Sequence, residues 1–303
     1  MNLVVAISSY KSDADALRLV TELHDGDYEF SRAIVVCSDG GRELSSAVKD
    51  AGYDNCEVLA FDTNLGSAGN LYERFKAAAA HGGDFMLALN HDAKVTPEMF
   101  RALVAQAQKP HDRIGAFYPL RYTPGKRQYD LTGVGGFPFK FRGSTQLPES
   151  EVIDVQWSSS NGALYALAPF REGIVPDASL WMGWEDYLYG LQLLDAGYRQ
   201  CIVTGACATD DYEYKTVTWF GRKITLSDKP LWYCYYGPRN LALVCLHRRR
   251  SPTMAFDLLR WALWFPAQIL LSRTGAARWG GLGYYLTGLA HGVLNTSGKW
   301  RLP

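Results

Sequence analysis

The sequence predicts an α/β fold in which a mainly parallel central sheet is flanked by helices, followed by a C-terminal helical region. Strand-like and helix-like patterns alternate four times within the first 110 residues. Such alternation is typical of parallel strands joined by covering helices. From residue 255 onward the composition changes to helical segments rich in Leu, Trp and Gly. The chain is therefore expected to divide into a longer α/β part and a shorter helical part.

Short apolar runs that end in polar residues or glycine predict four buried strands, because a strand covered on both faces has few polar positions. These runs are Leu3–Ile7, Ala33–Cys37, Val58–Phe61 and Phe85–Leu89. Amphipathic spacing and capping residues predict the intervening helices, which are Asp13–His24, Arg42–Ala51, Leu71–Ala80 and Pro97–Gln108. Residues 113–170 indicate strands and long loops, and Trp184–Ala196 indicates a further helix that Gly197 ends.

The bulk composition argues against several classes of protein. The 303 residues suffice for one large domain with an appendage. The 31 basic residues balance the 31 acidic ones, so no net positive field favours nucleic acid as a partner. Six cysteines without a C-x-x-C pair indicate reduced thiols. The first residues lack the basic segment and long apolar run of a signal peptide, so a cytoplasmic location is expected.

Ligands of a parallel sheet bind beyond the carboxyl ends of its strands, and the best candidate residues follow the fourth predicted strand. There the sequence reads Asn90-His91-Asp92. Clustered oxygen ligands at a strand end can hold Mg²⁺ or Mn²⁺ against a diphosphate, since hard cations prefer oxygen donors. A polar turn in which Asp92 caps a neighbouring helix explains the same residues equally well.

Two other strand ends carry weaker patterns. The loop after the third strand contains Asn64, Gly66 and Gly69, where small residues would let the backbone approach an anion near a helix N-terminus. An ordinary strand-to-helix loop is the better interpretation of that segment taken alone. Asp39 follows the second strand and could bind the base or ribose of a nucleotide, although a simple turn explains it equally well.

An acid pair and an arginine occur later in the chain. Glu185 and Asp186 open a predicted helix, where adjacent side chains point about 100° apart, so only one can serve as general base for a given atom. The usual alternative is that both complement the helix dipole. Trp181 and Trp184 flank the acids, and aromatic faces can bind the apolar faces of sugar rings. Arg239 could clamp a diphosphate, although a surface ion pair is the stronger interpretation without context.

Taken in order, these segments resemble glycosyltransferase family 2, which has the GT-A fold, and within it the bacterial rhamnosyltransferases and galactofuranosyltransferases of cell-surface polysaccharide synthesis. The resemblance spans roughly residues 3–300 and also rests on Ser160–Tyr165 and on Gly197-Tyr198. It implies that the nucleotide-sugar donor contacts Ser9, Asp39, Asn64, Gly66, Gly69, Asn90, His91 and Arg239. It implies acceptor contacts at Asn161, Trp181 and Trp184, and a catalytic base at Asp186 with Glu185 beside it.

The metal site implied by the resemblance departs from the family pattern. Asn90 stands where the family has the first acid of its Asp-x-Asp motif, which leaves Asp92 as the expected ligand. A histidine that the family often has after Gly197-Tyr198 is missing, and Asp210 stands near that place. Asp92 and Asp210 are therefore the expected ligands of Mg²⁺ or Mn²⁺.

The resemblance implies an inverting, metal-dependent transferase that moves a rhamnose-like or galactofuranose-like sugar from a dTDP- or UDP-linked donor to a saccharide or lipid-linked saccharide. Residues 1–240 would form the transferase domain, with nucleotide binding in 1–110 and acceptor binding in 111–240. Residues 241–303 would form the helical region. There Arg248-Arg249-Arg250 and Phe256–Leu271 are typical of an interfacial helix on the cytoplasmic face of the inner membrane. A core or dimer-interface helix fits equally well, so peripheral membrane contact and a homo-oligomer both stay open.

Two other classes of protein compete with this interpretation. A non-catalytic sugar- or nucleotide-binding scaffold would predict the incomplete metal motif. A sugar-1-phosphate nucleotidyltransferase would share the sheet and the metal, but it has a Gly-rich, basic loop after the first strand. Ser8–Ser12 contains no glycine, which disfavours the nucleotidyltransferase.

Overall fold

A mixed sheet forms the centre of the protein. The computed structural model describes residues 1–134, 143–209, 214–219, 222–227, 229–249 and 252–300. Within these ranges the sheet strands are β1 (Leu3–Tyr10), β2 (Arg32–Ser38), β3 (Cys56–Phe61), β4 (Phe85–Asn90), β5 (Ile114–Thr123), β6 (Gln128–Asp130), β7 (Gly143–Ser144), β8 (Val152–Asp154), β9 (Ala163–Ala166) and β10 (Arg199–Thr209), and a separate hairpin contains β11 (Tyr214–Trp219) and β12 (Arg222–Ser227). The helices are α1 (Asp13–Asp25), α2 (Arg42–Asp50), α3 (Gly66–Ala80), α4 (Pro97–Gln108), α5 (Ala168–Arg171), α6 (Glu185–Asp195), α7 (Tyr233–Leu243), α8 (Pro252–Ser272) and α9 (Gly275–Val293).

The strand order places the carboxyl ends of the main strands along one edge. The order across the sheet is β3-β2-β1-β4-β9-β5-β10-β8. Strands β1 to β4 run parallel, β9 runs antiparallel between β4 and β5, and β10 is parallel to β5. Because β9 is antiparallel to both β4 and β5, strands β5 and β10 run in the same direction as β1. The ends of β1, β4 and β5 therefore meet at the edge where α/β proteins bind ligands.

Side-chain alternation along the strands separates two hydrophobic layers. On one face, Val5 and Ile7 of β1 pack with buried residues of α1, α2 and α4. On the other face, Val4 and Ala6 pack with α3 and with Tyr189 of α6. The second face is the one against which the helix carrying the acid pair is packed.

The four predicted strands and the helices between them are confirmed, with one informative difference. Helix α3 begins at Gly66, whereas apolar spacing predicted its start at Leu71. Residues 66–70 carry few large apolar side chains, so their helical winding left little periodic signal in the sequence. The long parallel strand β10 was not predicted as a separate element either.

The predicted C-terminal helical region is present, and the division of the chain near residue 240 stays a prediction. The predicted boundary after residue 240 falls inside α7, which packs closely against α9. Gly288 and Gly292 permit this approach, because a Cβ atom there would lie 2.2 Å from the Tyr235 carbonyl oxygen and 2.4 Å from that of Arg239. Among the described residues, no helix combines the length and the apolar character that crossing a bilayer requires.

Candidate active site

Hydrogen bonds join the ends of β1 and β4 into one polar edge. Ser8 lies opposite Asn90 in the parallel register, and its hydroxyl donates to the Asn90 Oδ1 atom at 3.1 Å. The His91 backbone N–H donates to the Ser8 carbonyl at 2.9 Å. The Asn90 N–H donates to Asn161 Oδ1 at 2.9 Å, which brings in the segment before β9. Asn90, His91 and Asn161, predicted from distant stretches of sequence, therefore lie together.

Arg121 connects this edge to the acid pair. It lies in β5 near the carboxyl end of the strand, and its guanidinium donates to the backbone carbonyl of Asn161. Its positive charge also favours the ionised form of Asp186. Sequence reasoning missed Arg121, although a charged residue directly after the apolar run 114–120 is a recognisable sign at a carboxyl edge.

The environment of Asp186 gives its carboxyl the properties of a base at neutral pH. The side chain is half-buried near the start of α6. Burial first, and the charge of Glu185 second, raise the pKa of Asp186 to about 7, against lowering contributions from the Tyr187 N–H and from Arg121. The Tyr187 N–H donates to Asp186 Oδ1 at 2.8 Å. A carboxylate with a pKa near neutrality is well matched to accept a proton from a hydroxyl.

Glu185 faces a different environment from its neighbour, as the 100° separation of adjacent helical residues requires. It is 8% exposed, and burial raises its pKa, while hydrogen bonds from Ser67 and from backbone N–H groups and the charge of Arg74 lower it. Arg74 is buried in α3, where its Nη1 donates to the carbonyls of Leu89 at 3.2 Å and Ala6 at 3.4 Å. Burial lowers the pKa of Arg74 to about 10. Glu185 therefore belongs to a buried ionic cluster with α3.

In the loop before α6, two tryptophans adopt an unfavourable backbone conformation. Trp181 and Trp184 have φ of 60° and 67°, a region that bulky residues rarely occupy. The Trp181 ring is 5% exposed, stacks on Tyr236 at 4.7 Å between centroids, and donates from Nε1 to the Asn64 carbonyl at 3.3 Å. The structure thus places Trp181 in the interior, and its predicted acceptor contact stays a prediction. Trp184 is half-buried beside Tyr187, and an acceptor role for it stays a prediction.

The segment at the start of α3, which contains Asn64 and Gly66, packs against the loop before α6. Gly66 has φ +69°, and a Cβ atom there would lie 2.0 Å from the Trp181 carbonyl oxygen. The Ala68 N–H donates to this oxygen at 3.1 Å, and Asn64 Oδ1 accepts from the Gly66 N–H at 2.9 Å. These residues support close contact between two protein segments, and a donor contact at Asn64, Gly66 and Gly69 stays a prediction. Gly69 is itself buried within α3.

The structure places Arg239, the predicted diphosphate clamp, in the protein interior. Its side chain has no exposed surface. The guanidinium donates to the Leu180 carbonyl at 2.6 Å and to the Gly298 carbonyl, and it lies 4.6 Å from the centroid of the Tyr236 ring. Burial lowers the pKa of Arg239. A cation enclosed by protein carbonyls and tyrosine rings has no surface with which to clamp a diphosphate.

The two donor-site residues predicted near β1 and β2 differ in accessibility. Ser9 is 2% exposed and lies opposite Cys37 in the register, on the face of β1 that packs with α1, α2 and α4. Its predicted donor contact stays a prediction, and Ser8 is the serine that points to the face carrying α6. Asp39 is exposed at the end of β2, with φ 60° and an ion pair to Lys11 at 3.4 Å. An approaching nucleotide can therefore reach Asp39.

The described residues offer part of a metal site. Asp92 is exposed directly after the polar edge, and the neighbouring His91 has a buried Nδ1 atom without a hydrogen-bond partner. Asp210 lies outside the described residues, within which no three His, Cys, Asp or Glu side chains gather as a metal cluster. One carboxylate and one imidazole suit Mn²⁺, and Mg²⁺ is commonly held by one or two carboxylates together with substrate phosphates. The residues fit a cation site that the donor diphosphate would complete.

A separate cavity of about 450 Å³ lies at the opposite edge of the sheet. Its lining includes Lys109, His111, Ile114, Arg199 and Cys201, at the amino ends of β5 and β10. None of the predicted site residues lines it. The candidate site is therefore defined by the convergence of polar groups at the carboxyl edge, and not by this cavity.

Comparison with known proteins supports the architecture. No family model matches the chain, and no curated protein matches its sequence. A structure of S. aureus TarS 1–349 is 16% identical with a TM-score of 0.52, and the match covers 94% of this chain and 71% of that one. The mannosyltransferase PcManGT from Pyrobaculum calidifontis, solved with GDP-Man and Mn²⁺, is 12% identical with a TM-score of 0.54, covering 97% and 77%. GalNAc-T7, solved with UDP, GalNAc and Mn²⁺, is 13% identical with a TM-score of 0.56, and the chain spans 56% of its length.

The fold is GT-A. At these identities the matches show the fold alone, and they confirm the predicted fold class, with its mainly parallel sheet flanked by helices and its helical C-terminal region. In this GT-A chain, the polar edge formed by Ser8, Asn90 and Asn161 lies where α/β sheets bind their ligands. Arg121, which donates to Asn161 at that edge, also lowers the pKa of Asp186 through its charge.

Proposed function

We propose that the protein is a glycosyltransferase that moves a sugar from a nucleoside-diphosphate donor to an acceptor hydroxyl. The observation that carries this proposal is the arrangement around Arg121, which donates to Asn161 at the carboxyl edge of a GT-A sheet and whose charge acts on the Asp186 carboxyl, which has a pKa of about 7. The structural neighbours agree with this function, since TarS was solved with UDP-GlcNAc and PcManGT with GDP-Man.

The proposed reaction is one in-line displacement with inversion at the anomeric carbon. The acceptor oxygen bonds to the anomeric carbon and passes its proton to the Asp186 carboxylate. The bond from that carbon to the diphosphate oxygen breaks, and its electron pair leaves with the nucleoside diphosphate. Arg121 keeps positive charge near Asp186, and Ser8, Asn90 and Asn161 shape the edge where the donor would lie. A divalent cation, Mg²⁺ or Mn²⁺, when bound by Asp92 and His91, would supply positive charge to the leaving diphosphate.

The finer assignments rest on the sequence resemblance alone. They comprise membership of family 2, a rhamnose-like or galactofuranose-like sugar on dTDP or UDP, and a saccharide or lipid-linked saccharide acceptor in polysaccharide synthesis. They also include nucleotide contact at Asp39, acceptor contact at Trp184 and Asn161, and a division of the chain near residue 240. Sugar specificity depends on a few pocket contacts on loops.

The test is a screen for release of nucleoside diphosphate with Mn²⁺ or Mg²⁺, using dTDP-rhamnose, UDP-galactofuranose, UDP-GlcNAc and GDP-mannose, with and without saccharide acceptors. We expect Asp186→Asn to lower turnover by about 10²- to 10⁴-fold, the usual contribution of a general base. Asp195→Asn, an exposed acid on the same helix, is the matched control. Near wild-type turnover in folded Asp186→Asn protein would reject the base.

The same assay tests whether a metal is required, and it distinguishes a transferase from a non-catalytic scaffold. Removal of the cation with a chelator should abolish turnover, and Asp92→Asn should raise the Mn²⁺ concentration needed for half-maximal rate. Unchanged activity after chelation would reject the metal. A nucleotide sugar that binds without any turnover would support the non-catalytic scaffold.

We also propose that α8 and α9 contact an anionic membrane surface, which would suit a lipid-linked acceptor. Both helices expose large apolar side chains, namely Phe256 (58%), Leu259 (60%), Leu263 (70%), Trp279 (71%) and Leu286 (63%). Residues 252–300 contain a single acid, Asp257, which is 1% exposed. The same segment contains Arg260, Arg273, Arg278 and Lys299. Exposed apolar rows with basic and no exposed acidic side chains complement an anionic lipid surface.

Vesicle sedimentation tests this contact. The protein should bind vesicles of phosphatidylcholine with phosphatidylglycerol more tightly than vesicles of phosphatidylcholine alone. The double variant Leu259→Gln with Leu263→Gln should weaken binding about 10-fold or more, because each buried aliphatic side chain contributes about 1.5–3 kcal/mol. Leu147→Gln, which alters a side chain 56% exposed outside these helices, is the control. Loss of a dimer in the double variant, with no effect on vesicles, would assign this face to a second copy of the chain.

A further inference from the structure

The segment that leads into the proposed base is held in a conformation that it would not adopt alone. Trp181 has φ 60° and ψ −53°, Gly183 has φ +82°, and Trp184 has φ 67°. Bulky residues persist in such conformations only where the surrounding structure over-determines them. Glu185 and Asp186 follow directly, so the direction of both carboxyls depends on what holds residues 180–184.

Asn240 is the residue that holds this segment. It is fully buried in α7, and its side-chain amide donates to three carbonyls of the segment, those of Leu180 at 2.9 Å, Met182 at 2.7 Å and Gly183 at 2.8 Å. Its Oδ1 atom accepts from Arg239 Nε at 2.8 Å. Both polar ends of the amide are therefore used, and the neighbouring arginine orients it.

Residues near the C-terminus also form hydrogen bonds with this segment and with α7. The Gly298 N–H donates to the Ser179 carbonyl at 2.6 Å, and Arg239 bridges the carbonyls of Leu180 and Gly298. The Trp300 N–H donates to the Tyr236 hydroxyl at 2.9 Å. Residues about 120 positions after the segment are thus bonded to it through α7.

We infer that Asn240, oriented by Arg239, is a positioning residue that keeps the 180–184 segment in its left-handed turns and so aims Asp186 at the acceptor hydroxyl. The inference rests on the proposed role of Asp186. It assigns to the Arg-Asn pair a function different from donor binding: neither side chain touches substrate, and both act through the backbone of the segment. A shift of this segment would misalign the base while leaving the donor edge at Ser8 and Asn90 unchanged.

The decisive experiment compares Asn240→Ala with Asn55→Ala. Asn55 also uses its side-chain amide, whose Oδ1 atom accepts from His24 Nε2 at 2.7 Å, but it lies before β3, far along the chain from α6. Hydrogen exchange of peptides covering 177–188 is measured first, because it needs no substrate. We expect exchange in these peptides to accelerate about 10-fold or more in Asn240→Ala, with peptides of β1 and β4 unchanged, since local opening follows the lost bonds. Asn55→Ala should leave 177–188 unchanged.

Turnover then tests positioning, with the nucleotide sugar that the screen identifies and Mn²⁺. We expect kcat to fall about 10- to 100-fold in Asn240→Ala, because small misplacements of a catalytic group have effects of that size. KM for the nucleotide sugar should change less than about 3-fold, since the donor edge is intact. Arg239→Lys, which keeps the charge but loses the fork between Leu180 and Gly298, should show the same pattern more weakly, and it replaces Asn240→Ala if that variant does not fold.

Each outcome decides a different claim. Unchanged exchange in 177–188 overturns the holding role of Asn240. Faster exchange with unchanged kcat overturns its effect on the base. If wild-type protein turns over none of the four nucleotide sugars, the proposed function fails, and the holding role is then judged by hydrogen exchange alone.

Discussion

Asp186→Asn should stabilise the protein increasingly as pH rises, because the fold raises the pKa of this carboxyl from 3.8 to about 7. Below pH 4 the carboxyl is protonated in both the folded and the unfolded chain. Between pH 4 and 7 the unfolded chain releases its proton while the folded protein keeps it, so the free energy of unfolding falls. Above pH 7 the folded protein carries the full cost of a half-buried carboxylate beside Glu185. Asparagine cannot ionise, yet it keeps an oxygen to accept from the Tyr187 N–H.

The size of the effect follows from the same two pKa values. Each pH unit between them corresponds to about 1.4 kcal/mol, so the full cost above pH 7 is on the order of 4 kcal/mol. At pH 5 only about 1.7 kcal/mol of that cost is present, so the advantage of Asp186→Asn should grow by about 2–3 kcal/mol between pH 5 and pH 8. The coupling between Asp186 and Glu185 makes these values upper bounds, since Glu185 can take up part of the shared proton.

Urea unfolding at pH 5, 6, 7 and 8, followed by tryptophan fluorescence and circular dichroism, measures the difference. Asp195→Asn is the control, because it removes an exposed acid of the same helix that pairs with Arg249 at 2.6 Å, and its effect should stay within about 1 kcal/mol at every pH. A stability difference for Asp186→Asn that does not grow with pH would refute the reasoning about its environment. The same variant should lose turnover, so stability and activity would change in opposite directions.

Two further predictions concern the neighbours of Asp186. Glu185→Gln removes the negative charge beside Asp186 and so lowers the pKa of Asp186; the acidic limb of the kcat/KM profile between pH 5 and 9 should move to lower pH, and an unmoved limb would contradict the coupling. Gly66→Ala should destabilise the protein by about 2–4 kcal/mol in urea unfolding, because its Cβ would lie 2.0 Å from the Trp181 carbonyl oxygen. Gly52→Ala, with φ +75° and no atom within 4 Å of its Cβ, should cost only about 1 kcal/mol, and equal losses at both positions would rule out the close contact as the cause.

Residues that act through their own type and local spacing were predicted from the sequence. The apolar runs predicted β1, β2, β3 and β4, and the polar residues after β4 predicted the edge at Asn90 and His91. Helical geometry predicted that Glu185 and Asp186 would face different groups, and they do, toward α3 and toward Arg121 respectively. These inferences succeed because periodicity and helix geometry are local properties.

Residues whose role depends on distant partners were predicted less well. Gly66 and Arg239 have types that suit anion binding, but the loop at Trp181 and the carbonyls of Leu180 and Gly298 occupy them instead. The resemblance implied a donor contact at Ser9, whereas the packing of the two sheet faces is what distinguishes Ser9 from Ser8. Arg121 and Asn240 were missed, since nothing near them in the sequence reveals which carbonyls they reach.

The sequence by itself determined the order of the first four strands and their helices, the carboxyl edge on which a site could form and the acid pair that opens α6. Each follows from the side-chain types of neighbouring residues. The tertiary structure alone decided which acid has a pKa near neutrality, which glycine lies against another protein segment, and which arginine is buried. Those outcomes depend on desolvation and on contacts between segments more than 100 positions apart, such as Gly66 with Trp181, and such contacts exist only once the chain has folded.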